Sequence, residues 1–261
     1  MTKSIPSLQI QAAPPQPGVL AVVTSLCRHG GAVLLLCRGL VPAVVPVKAD
    51  PVVAWGDNHE GQTNTPVGLC HVTAIAAGLL HNVALQSDGS VVAWGYSVFG
   101  QTTIPAGLSR VTAIAAGGDY SLALSDGTVV AWGRNDFGQT NVPAGLSGVT
   151  AIAGGIEHSL ALQTNGTVVV WGDNSFGQTN VPAGLSAVAI ATFGDYTVAL
   201  KNNGTVVAWG RNDIGQTNVP AGLTEVIAIA AGGGHTVALQ SDAWWWLGEG
   251  TPLVKRMCRS A

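Results

Sequence analysis

The sequence predicts an all-β fold of the propeller class, with about five blades of four short antiparallel strands in a ring that is either closed or incomplete. One observation is a repeat: Val-Ala-Trp-Gly, or a near variant, occurs five times and is followed each time by Gly-Gln-Thr. The tryptophans are 39, 38, 39 and 38 residues apart, a regularity typical of repeat architectures. The other two observations are a recurring hairpin signal and apolar runs that lack polar alternation.

The hairpin signal lies between two short apolar runs. Asp-Gly or Asn-Gly occurs there at residues 88–89, 126–127, 165–166 and 203–204. These dipeptides favour two-residue hairpin turns, because both turn positions need positive φ. Each unit is therefore predicted to be a meander of strands.

The apolar runs are predicted to be covered on both faces. Residues 128–132, Thr-Val-Val-Ala-Trp, show no clean alternation of polar and apolar side chains. Radial repetition into a propeller gives each sheet two neighbours, and a β-solenoid is the alternative. We expect the recurring tryptophan to be a wedge between blades and the recurring glycine to allow close backbone approach. These structural residues are Trp55, Trp94, Trp132, Trp171, Trp209, Gly61, Gly100, Gly138, Gly177 and Gly215.

The repeats occupy residues 50–242, and the two ends of the chain differ from them. Residues 1–49 are interpreted as a non-repeat extension that is either disordered or wrongly assigned to the chain, and residues 243–261 as a divergent tail. The first Trp-Gly strand, at residues 52–56, has no strands before it, and the last two strands, at 228–239, have no intact Trp-Gly strand after them. If joined, these two halves would complete a fifth blade.

Composition and charge restrict the class of function. The chain has 261 residues, of which 47% are hydrophobic and 10% charged, enough to bury a sizeable core. Its formal net charge of −3 gives no basic field, so we predict no nucleic-acid partner. The apolar stretches are too short or too interrupted to span a bilayer, so we predict no transmembrane segment and no membrane partner. No clean signal peptide is present, and the compartment, secreted or cytoplasmic, stays open.

The sequence predicts no enzyme activity, no cofactor and no metal site. The four cysteines are scattered, which favours neither a zinc site nor a disulfide scaffold. No Ser-His-Asp set or phosphate-binding loop stands out, and the aspartates of the hairpin turns are explained by backbone geometry. Three histidines occupy equivalent positions, which hold tyrosine in two other units. We predict a hydrogen-bonded strand-end residue at this position, with a contact residue or a metal ligand as the alternatives. The histidines are His81, His158 and His235.

The strands resemble those of the RCC1-like repeat family, the regulator of chromosome condensation type of propeller. The resemblance covers residues 50–242 and is carried by Ala-Ile-Ala-Ala-Gly (113–117), His-Ser-Leu-Ala-Leu (158–162), and Val-Val-Ala-Trp-Gly with the Gly-Gln-Thr after it. It implies a β-propeller, usually of seven blades. The short units, with Gly-Gln-Thr-x-Val-Pro at residues 138–143, are similar to compact bacterial repeats such as those of a secreted β-lactamase inhibitor protein in this family.

The repeat fold and the lack of a catalytic set predict a non-catalytic scaffold for protein–protein interaction, whose protein partner the sequence does not identify. The variable loops after each Trp-Gly are the candidate binding sites. The candidate partner-binding residues are Tyr96, Tyr120, Arg134, Tyr196 and Arg211. A second recurring position is interpreted as packing at the blade rim, with a role as a binding hot spot as the alternative. It is occupied by Phe99, Phe137, Phe176 and Ile214.

Three other interpretations stay open. The resemblance implies either inhibition of a secreted hydrolase such as a β-lactamase, or guanine-nucleotide exchange factor-like activity on a small GTPase. A third interpretation is that residues 243–248 are a damaged sixth copy of the Trp-Gly strand, so that the chain is a truncated or frameshifted fragment of a larger propeller. We expect a monomer if the ring closes and an oligomer if it does not.

Overall fold

The computed structural model describes residues 52–241, and this part of the chain is all β, as predicted. Among these residues the structure has no helix of the length and apolarity needed to cross a membrane. The predicted extension at residues 1–49 and the predicted tail at residues 243–261 lie outside the described residues.

Consecutive strands form five small antiparallel sheets in chain order. Sheet 1 contains β1 (Val72–Ala77), β2 (His81–Gln86) and β3 (Val91–Gly95); sheet 2 contains β4 (Val111–Ala116), β5 (Tyr120–Ser125) and β6 (Thr128–Gly133). Sheet 3 contains β7 (Val149–Gly154), β8 (His158–Gln163) and β9 (Val168–Gly172); sheet 4 contains β10 (Ala187–Phe193), β11 (Tyr196–Lys201) and β12 (Val206–Gly210); sheet 5 contains β13 (Val226–Ala231) and β14 (Thr236–Gln240).

Sheets 1 to 4 have three strands each in the described part of the chain, and not the four predicted. The segment that follows the third strand forms consecutive turns instead. In residues 96–108 these turns are closed by Gly100 N donating to Ser97 O at 2.9 Å and by Leu108 N donating to Pro105 O at 3.2 Å. Turn residues recur too closely along this segment for a fourth strand to form.

Hairpins form at all four Asp-Gly and Asn-Gly positions, but two positive φ values occur together in only one of them. Asp126 and Gly127 have φ values of 50° and 75° and form the expected two-residue turn. In sheet 1, Gln86 N donates to Ser90 O at 2.9 Å, so three residues lie in the turn. Of those three only Gly89 has positive φ. The hairpins are confirmed, whereas the turn type is wrong at three positions, because one added residue lets the Asp or Asn keep negative φ.

The hydrophobic core lies between successive sheets. Leu122 and Leu124 of sheet 2 pack against Ala161 and Trp171 of sheet 3. The same arrangement joins the other neighbouring pairs of sheets. The inner sheets are therefore covered on both faces, which explains why their strands are continuously apolar.

The recurring tryptophans are the predicted wedges. Trp94, Trp132 and Trp171 are 7 to 8% exposed. Each donates its Nε1 hydrogen to the main-chain carbonyl of a glutamine in the preceding Gly-Gln-Thr at 2.9 to 3.0 Å, and Trp209 does the same at 3.0 Å. Trp55 is the exception, because it is 72% exposed and lies in no strand.

Close backbone approach occurs at the glycine that follows the tryptophan. A Cβ on Gly133 would lie 2.8 Å from the carbonyl oxygen of Asp119, and the φ of Gly133 is 106°. Both facts require glycine there. In the Gly-Gln-Thr turn, Gly138 has a φ of 78°, and the atom closest to an added Cβ is Asn141 Nδ2 at 3.3 Å. That glycine is required by its backbone conformation and not by crowding.

The two end halves do not join into a fifth blade in this structure. Residues 52–56 form no strand, and no described strand pairs with the outer edge of β14. The turn that follows residues 52–56 is held on sheet 1, where Trp94 Nε1 and Asn82 Nδ2 both donate to Gln62 O. Sheets pack on their neighbours in chain order, without extensive packing of sheet 1 on sheet 5 among the described residues. The described array is therefore open.

Candidate protein-binding surface

Two sets of loops lie at the same end of the sheets, because consecutive strands are antiparallel. The inner loops join the first strand to the second, and the outer loops follow the third strand. The first strands of successive sheets pack on one another, which places the inner loops on the narrow side of the array. We call this end the loop face. Its inner loops are residues 78–80, 117–119, 155–157, 194–195 and 232–234, and its outer loops are residues 96–99, 134–137, 173–176 and 211–214.

Backbone hydrogen bonds link the inner loops of sheets 1 to 4. Leu79 N donates to Gly118 O at 3.2 Å, Gly118 N donates to Gly155 O at 3.1 Å, and Ile156 N donates to Gly194 O at 3.1 Å. Each bond joins one sheet to the next. The bonds fix the step from sheet to sheet and make the loop face a pre-organised surface.

Tyr120 and Tyr196 lie beneath this face, so the prediction that they are surface contacts is wrong. Both rings are buried. The Tyr120 hydroxyl donates to His158 O in sheet 3, and the Tyr196 hydroxyl donates to His235 O in sheet 5 at 2.6 Å. A Cβ on Gly117 would lie 2.0 Å from the ring of Tyr120, so the glycine makes the space that the ring fills. These tyrosines tie neighbouring sheets together.

His81 and His158 confirm the prediction of a hydrogen-bonded residue at this strand end. His81 Nε2 is 3.0 Å from Ser121 Oγ in the next sheet, and His158 Nε2 is 3.2 Å from Thr197 Oγ1. Burial lowers the pKa of each imidazole to about 4, so both are neutral near pH 7. Within residues 52–241, no three His, Cys, Asp or Glu side chains are grouped to hold a metal ion.

The outer loops are shaped by asparagine and glutamine side chains. In residues 134–141, Asn135 Nδ2 donates to Asn141 Oδ1 at 2.8 Å, and Thr140 N donates to Asn135 Oδ1 at 3.0 Å. Phe137 N donates to the Oε1 of buried Gln139 at 3.0 Å. The recurring asparagine therefore shapes the turn through its side chain.

Aromatic rings and arginines stack along the outer loops. Phe99, Phe137 and Phe176 are 42 to 45% exposed, so they do not fill the blade rim as buried packing residues. The Arg134 guanidinium lies 5.4 Å from the ring centroid of Phe99 and 5.7 Å from that of Phe137. Arg211 lies 4.9 Å from the ring of Phe176. These are cation–π distances, and they hold the rings at the surface.

Carboxylates on both sets of loops orient Arg134. Its side chain pairs with Asp136 at 2.7 Å, with Glu157 of the next sheet at 3.2 Å and with Asp119 at 3.8 Å. Burial raises the pKa of the Glu157 carboxyl, and the charge of Arg134 opposes that rise. Arg134 is thus paired with carboxylates of sheets 2 and 3, and its guanidinium group lies within cation–π distance of two aromatic rings.

A smaller set of pairs orients Arg211. Its side chain contacts Asp213 at 2.6 Å and Asp195 at 3.3 Å. No carboxylate of a neighbouring sheet is paired with Arg211 among the described residues. The ion pairs of Arg211 therefore lie within sheet 4, and its contact with the preceding sheet is the cation–π contact with Phe176.

The structure brings two of the five predicted contact residues together at one phenylalanine and places a third beside another phenylalanine. Tyr96 and Arg134 both contact Phe99, the tyrosine with ring centroids 6.2 Å apart and planes at 73°, while Arg211 contacts Phe176. The inner-loop carboxylates are functional candidates that were not predicted from the sequence. Their signal was an acidic residue directly before the strand-end His or Tyr, and they are Asp119, Glu157 and Asp195.

The fold and these repeats match known proteins. Residues 72–101, 111–139 and 149–178 match the family model of the regulator of chromosome condensation (RCC1) repeat. No curated protein sequence matches the chain. The structure is similar to human WBSCR16, with 22% sequence identity, a TM-score of 0.56, and coverage of 66% of this chain and 60% of that one.

Two further solved structures show the same fold. Prp20p from Saccharomyces cerevisiae is 20% identical with a TM-score of 0.57, over 64% of this chain and 55% of that one. The ectodomain of the receptor kinase CR4 from Physcomitrella patens is 25% identical with a TM-score of 0.56, over 76% of this chain and 54% of that one. The chain thus spans 54 to 60% of the length of these three proteins. Its sheets are β-propeller blades, and the three matched segments are similar to the RCC1 repeat.

Proposed function

We propose that this protein is a non-catalytic scaffold that binds a protein partner through the loop face. The observation that carries the proposal is the row of Phe99, Phe137 and Phe176, each near half exposed and each in contact with an arginine or tyrosine. Exposed aromatic and arginine side chains are the residues that most often dominate the energetics of protein interfaces.

Pre-organisation supports binding at this surface. Arg134 is held by three carboxylates, and the main-chain N–H of Phe137 donates to the side-chain oxygen of Gln139. Side chains that are already ordered lose less conformational entropy when a partner binds. The loop face therefore needs little rearrangement to accept a complementary surface.

The structural neighbours support a protein as the class of partner. The structure of Prp20p was described together with its binding to Gsp1p and histones, and in another structure yeast RCC1 is bound to Kap60. Those partners are properties of the yeast protein. For the present chain the neighbours support only the general proposal that a propeller of these repeats binds proteins.

The experiment is quantitative capture of proteins by the immobilised full chain, compared with the double variant Arg134→Ala/Phe137→Ala. The matched control is Arg110→Ala, which removes an exposed arginine paired with Asp126 at the opposite end of sheet 2. We expect the double variant to lose at least ten-fold in captured partner and the control to retain it. Equal capture by all three proteins would refute binding through the loop face.

Two assays with purified components test the narrower partners. Inhibition of β-lactamases by micromolar protein would identify a secreted hydrolase, and accelerated nucleotide release would identify a small GTPase. Either activity should be lost in Arg134→Ala/Phe137→Ala if the loop face carries it. Robust catalytic turnover by the purified protein would instead contradict the proposal of a scaffold.

A further inference from the structure

The two ends of the described array are unfinished in complementary ways. Sheet 5 has a first and a second strand but no third strand among residues 52–241. Residues 52–56 read Val-Val-Ala-Trp-Gly, the same sequence as β3 and β12, yet they pair with no described strand. Within this segment Val53 is 69% exposed and Trp55 is 72% exposed. Sheet 5 therefore lacks a third strand among the described residues, and residues 52–56 at the other end of the array have the sequence of a third strand but no strand partner.

The sheet faces at the two ends are also complementary. On sheet 5, Val237 and Leu239 are 55% and 58% exposed, whereas Val198 and Leu200, their equivalents on sheet 4, are 0% and 3% exposed. On sheet 1, Ile75 is 64% exposed. Its equivalent on sheet 2 packs in the core cluster that contains Leu85 of sheet 1. The exposed face of sheet 1 thus has the side chains that cover a preceding sheet elsewhere in the array.

The main-chain carbonyl that contacts sheet 5 also accepts fewer hydrogen bonds than its equivalents in the interior of the array. Gln101 O accepts two hydrogen bonds, one from Ser121 Oγ and one from Trp132 Nε1, at 2.9 Å each. The equivalent Gln216 O accepts only from Thr236 Oγ1, at 2.9 Å, among the described residues. Trp55 is the one repeat tryptophan whose Nε1 makes no such bond there.

We propose that sheet 5 is completed by residues 52–56 of a second copy of this chain. The register follows from sheet 4, where Val198 pairs with Ala208 and Thr197 pairs with Trp209. By equivalence, Val237 of one copy pairs with Ala54 of the second, and Thr236 pairs with Trp55. Trp55 then donates to Gln216 O, and Ile75 of the second copy packs on Val237 and Leu239.

The step between sheets favours a second copy over closure within one chain. Gln62 O accepts hydrogen bonds from Asn82 Nδ2 at 2.7 Å and Trp94 Nε1 at 3.0 Å, so the turn at Gln62 stays on sheet 1, as the turn at Gln101 stays on sheet 2. Closure within one chain would change the step between sheets that the inner-loop hydrogen bonds fix. A second copy repeats that step and adds the third strand to an open edge, where unpaired backbone groups favour such addition.

The test uses two full-length variants with tags of different size, each with one added cysteine, Ala54→Cys and Val237→Cys. The equivalent positions on sheet 1, Val83 and Ala93, are opposite each other in β2 and β3. They form a non-hydrogen-bonded pair, whose Cα separation of about 4.5 Å suits a disulfide. After mixing and mild oxidation we expect a disulfide between residues 54 and 237 that joins the two tagged chains, identified by mass spectrometry of the linked peptides.

The control is Val67→Cys in place of Ala54→Cys. Val67 is fully exposed and lies in a loop outside the proposed strand, so no disulfide to residue 237 should form. Mapping of the linked peptides separates the engineered bond from any that involves a native cysteine. The double variant Ala54→Cys/Val237→Cys tests the alternative, because closure within one chain would give the same bond in a monomer.

Two outcomes would overturn the proposal. A 54–237 disulfide found only within single chains would show that the array closes on itself, and absence of the bond in both experiments would show that another segment or nothing occupies the edge. Light scattering provides a second measurement. The unmodified chain should associate at micromolar concentration, and Trp55→Ala should require at least ten-fold more protein, whereas Val67→Ala should not. A single-chain mass throughout would also refute the proposal.

Discussion

Strands β11 and β14 have almost the same sequence and differ in what covers them. Residues 196–200 read Tyr-Thr-Val-Ala-Leu, and residues 235–239 read His-Thr-Val-Ala-Leu. The first stretch is buried at every position between sheets 3 and 5, whereas the valine and leucine of the second are exposed. The neighbouring sheets therefore determine whether a repeat strand is buried, and the ends of the array are its open surfaces.

The largest expected difference is between Leu200→Ala and Leu239→Ala. Leu200 is buried in the core between sheets 4 and 5, so its truncation should lower the free energy of unfolding by about 2–5 kcal/mol. Leu239 is exposed, and its truncation should cost less than about 1 kcal/mol. Urea unfolding of the two variants at low protein concentration measures both.

The dependence of these two stability losses on protein concentration tests whether a second copy covers sheet 5. If a second copy covers sheet 5, the cost of Leu239→Ala should rise with protein concentration, because mass action favours the associated form. The cost of Leu200→Ala should stay large throughout. Equal losses for the two variants at the lowest concentration would mean that β14 is covered within a single chain.

Stability should also fall in acid because of the buried imidazoles. The pKa values of His81 and His158 are lowered from 6.5 to about 4, so the unfolded chain takes up protons first as the pH falls. The stability that depends on these imidazoles being neutral is fully present above about pH 6.5 and is lost as the pH falls through about 4. The loss is up to about 3 kcal/mol for each histidine.

Two histidine variants test this pH dependence in thermal unfolding from pH 7 to 4. His158→Tyr introduces the tyrosine that sheets 2 and 4 have at the equivalent position. We expect this variant to lose less stability in acid than the unmodified protein. His59→Gln is the control, since its imidazole is 91% exposed and should leave the profile unchanged. An unchanged profile in His158→Tyr would rule out burial of this imidazole as the cause.

A third comparison concerns two tryptophans with identical local sequence. Trp132→Phe removes the buried hydrogen bond to Gln101 O and should cost about 1–3 kcal/mol. Trp55→Phe removes no hydrogen bond among the described residues and should be near neutral in dilute solution. Calorimetric unfolding of both variants gives the difference, and a loss at Trp55 as large as at Trp132 would show that residues 52–56 already pair within one chain.

The repeat period predicted the sheets and the tryptophan wedges, because both depend on features that recur in every unit. The turn type was less predictable, since the same Asp-Gly pair fits a turn of two or of three residues. The prediction of Tyr120 as a surface contact residue is wrong for a reason that lies outside its own repeat unit. Its burial depends on Gly117, which leaves room for the ring, and on His158 in the next sheet.

The arginine contacts join residues far apart in the sequence, and for this reason the sequence pointed to Arg134 but not to the residues that it contacts. Arg134 reaches Phe99 in the unit before it and Glu157 in the unit after it. Such contacts depend on how one sheet is placed in space relative to the next, and the repeat period of a sequence does not specify that placement. The arginines were visible from their charge in a variable loop, whereas the pairs were not.

The smallest expected effect distinguishes Arg134 from Arg211. Arg134 contacts two rings and three carboxylates on the loops of sheets 1 to 3, whereas Arg211 contacts one ring of sheet 3 and two carboxylates of sheet 4. A double-mutant cycle of Arg134→Ala with Phe99→Ala should give a coupling of about 0.5–1 kcal/mol in urea unfolding, since exposed cation–π pairs are worth that much. The coupling of Arg211 with Phe176 should be no larger, because Arg211 is more exposed. Couplings near zero in both cycles would mean that the rings are not held by the arginines, and the loop face would then have to become ordered when it binds a partner.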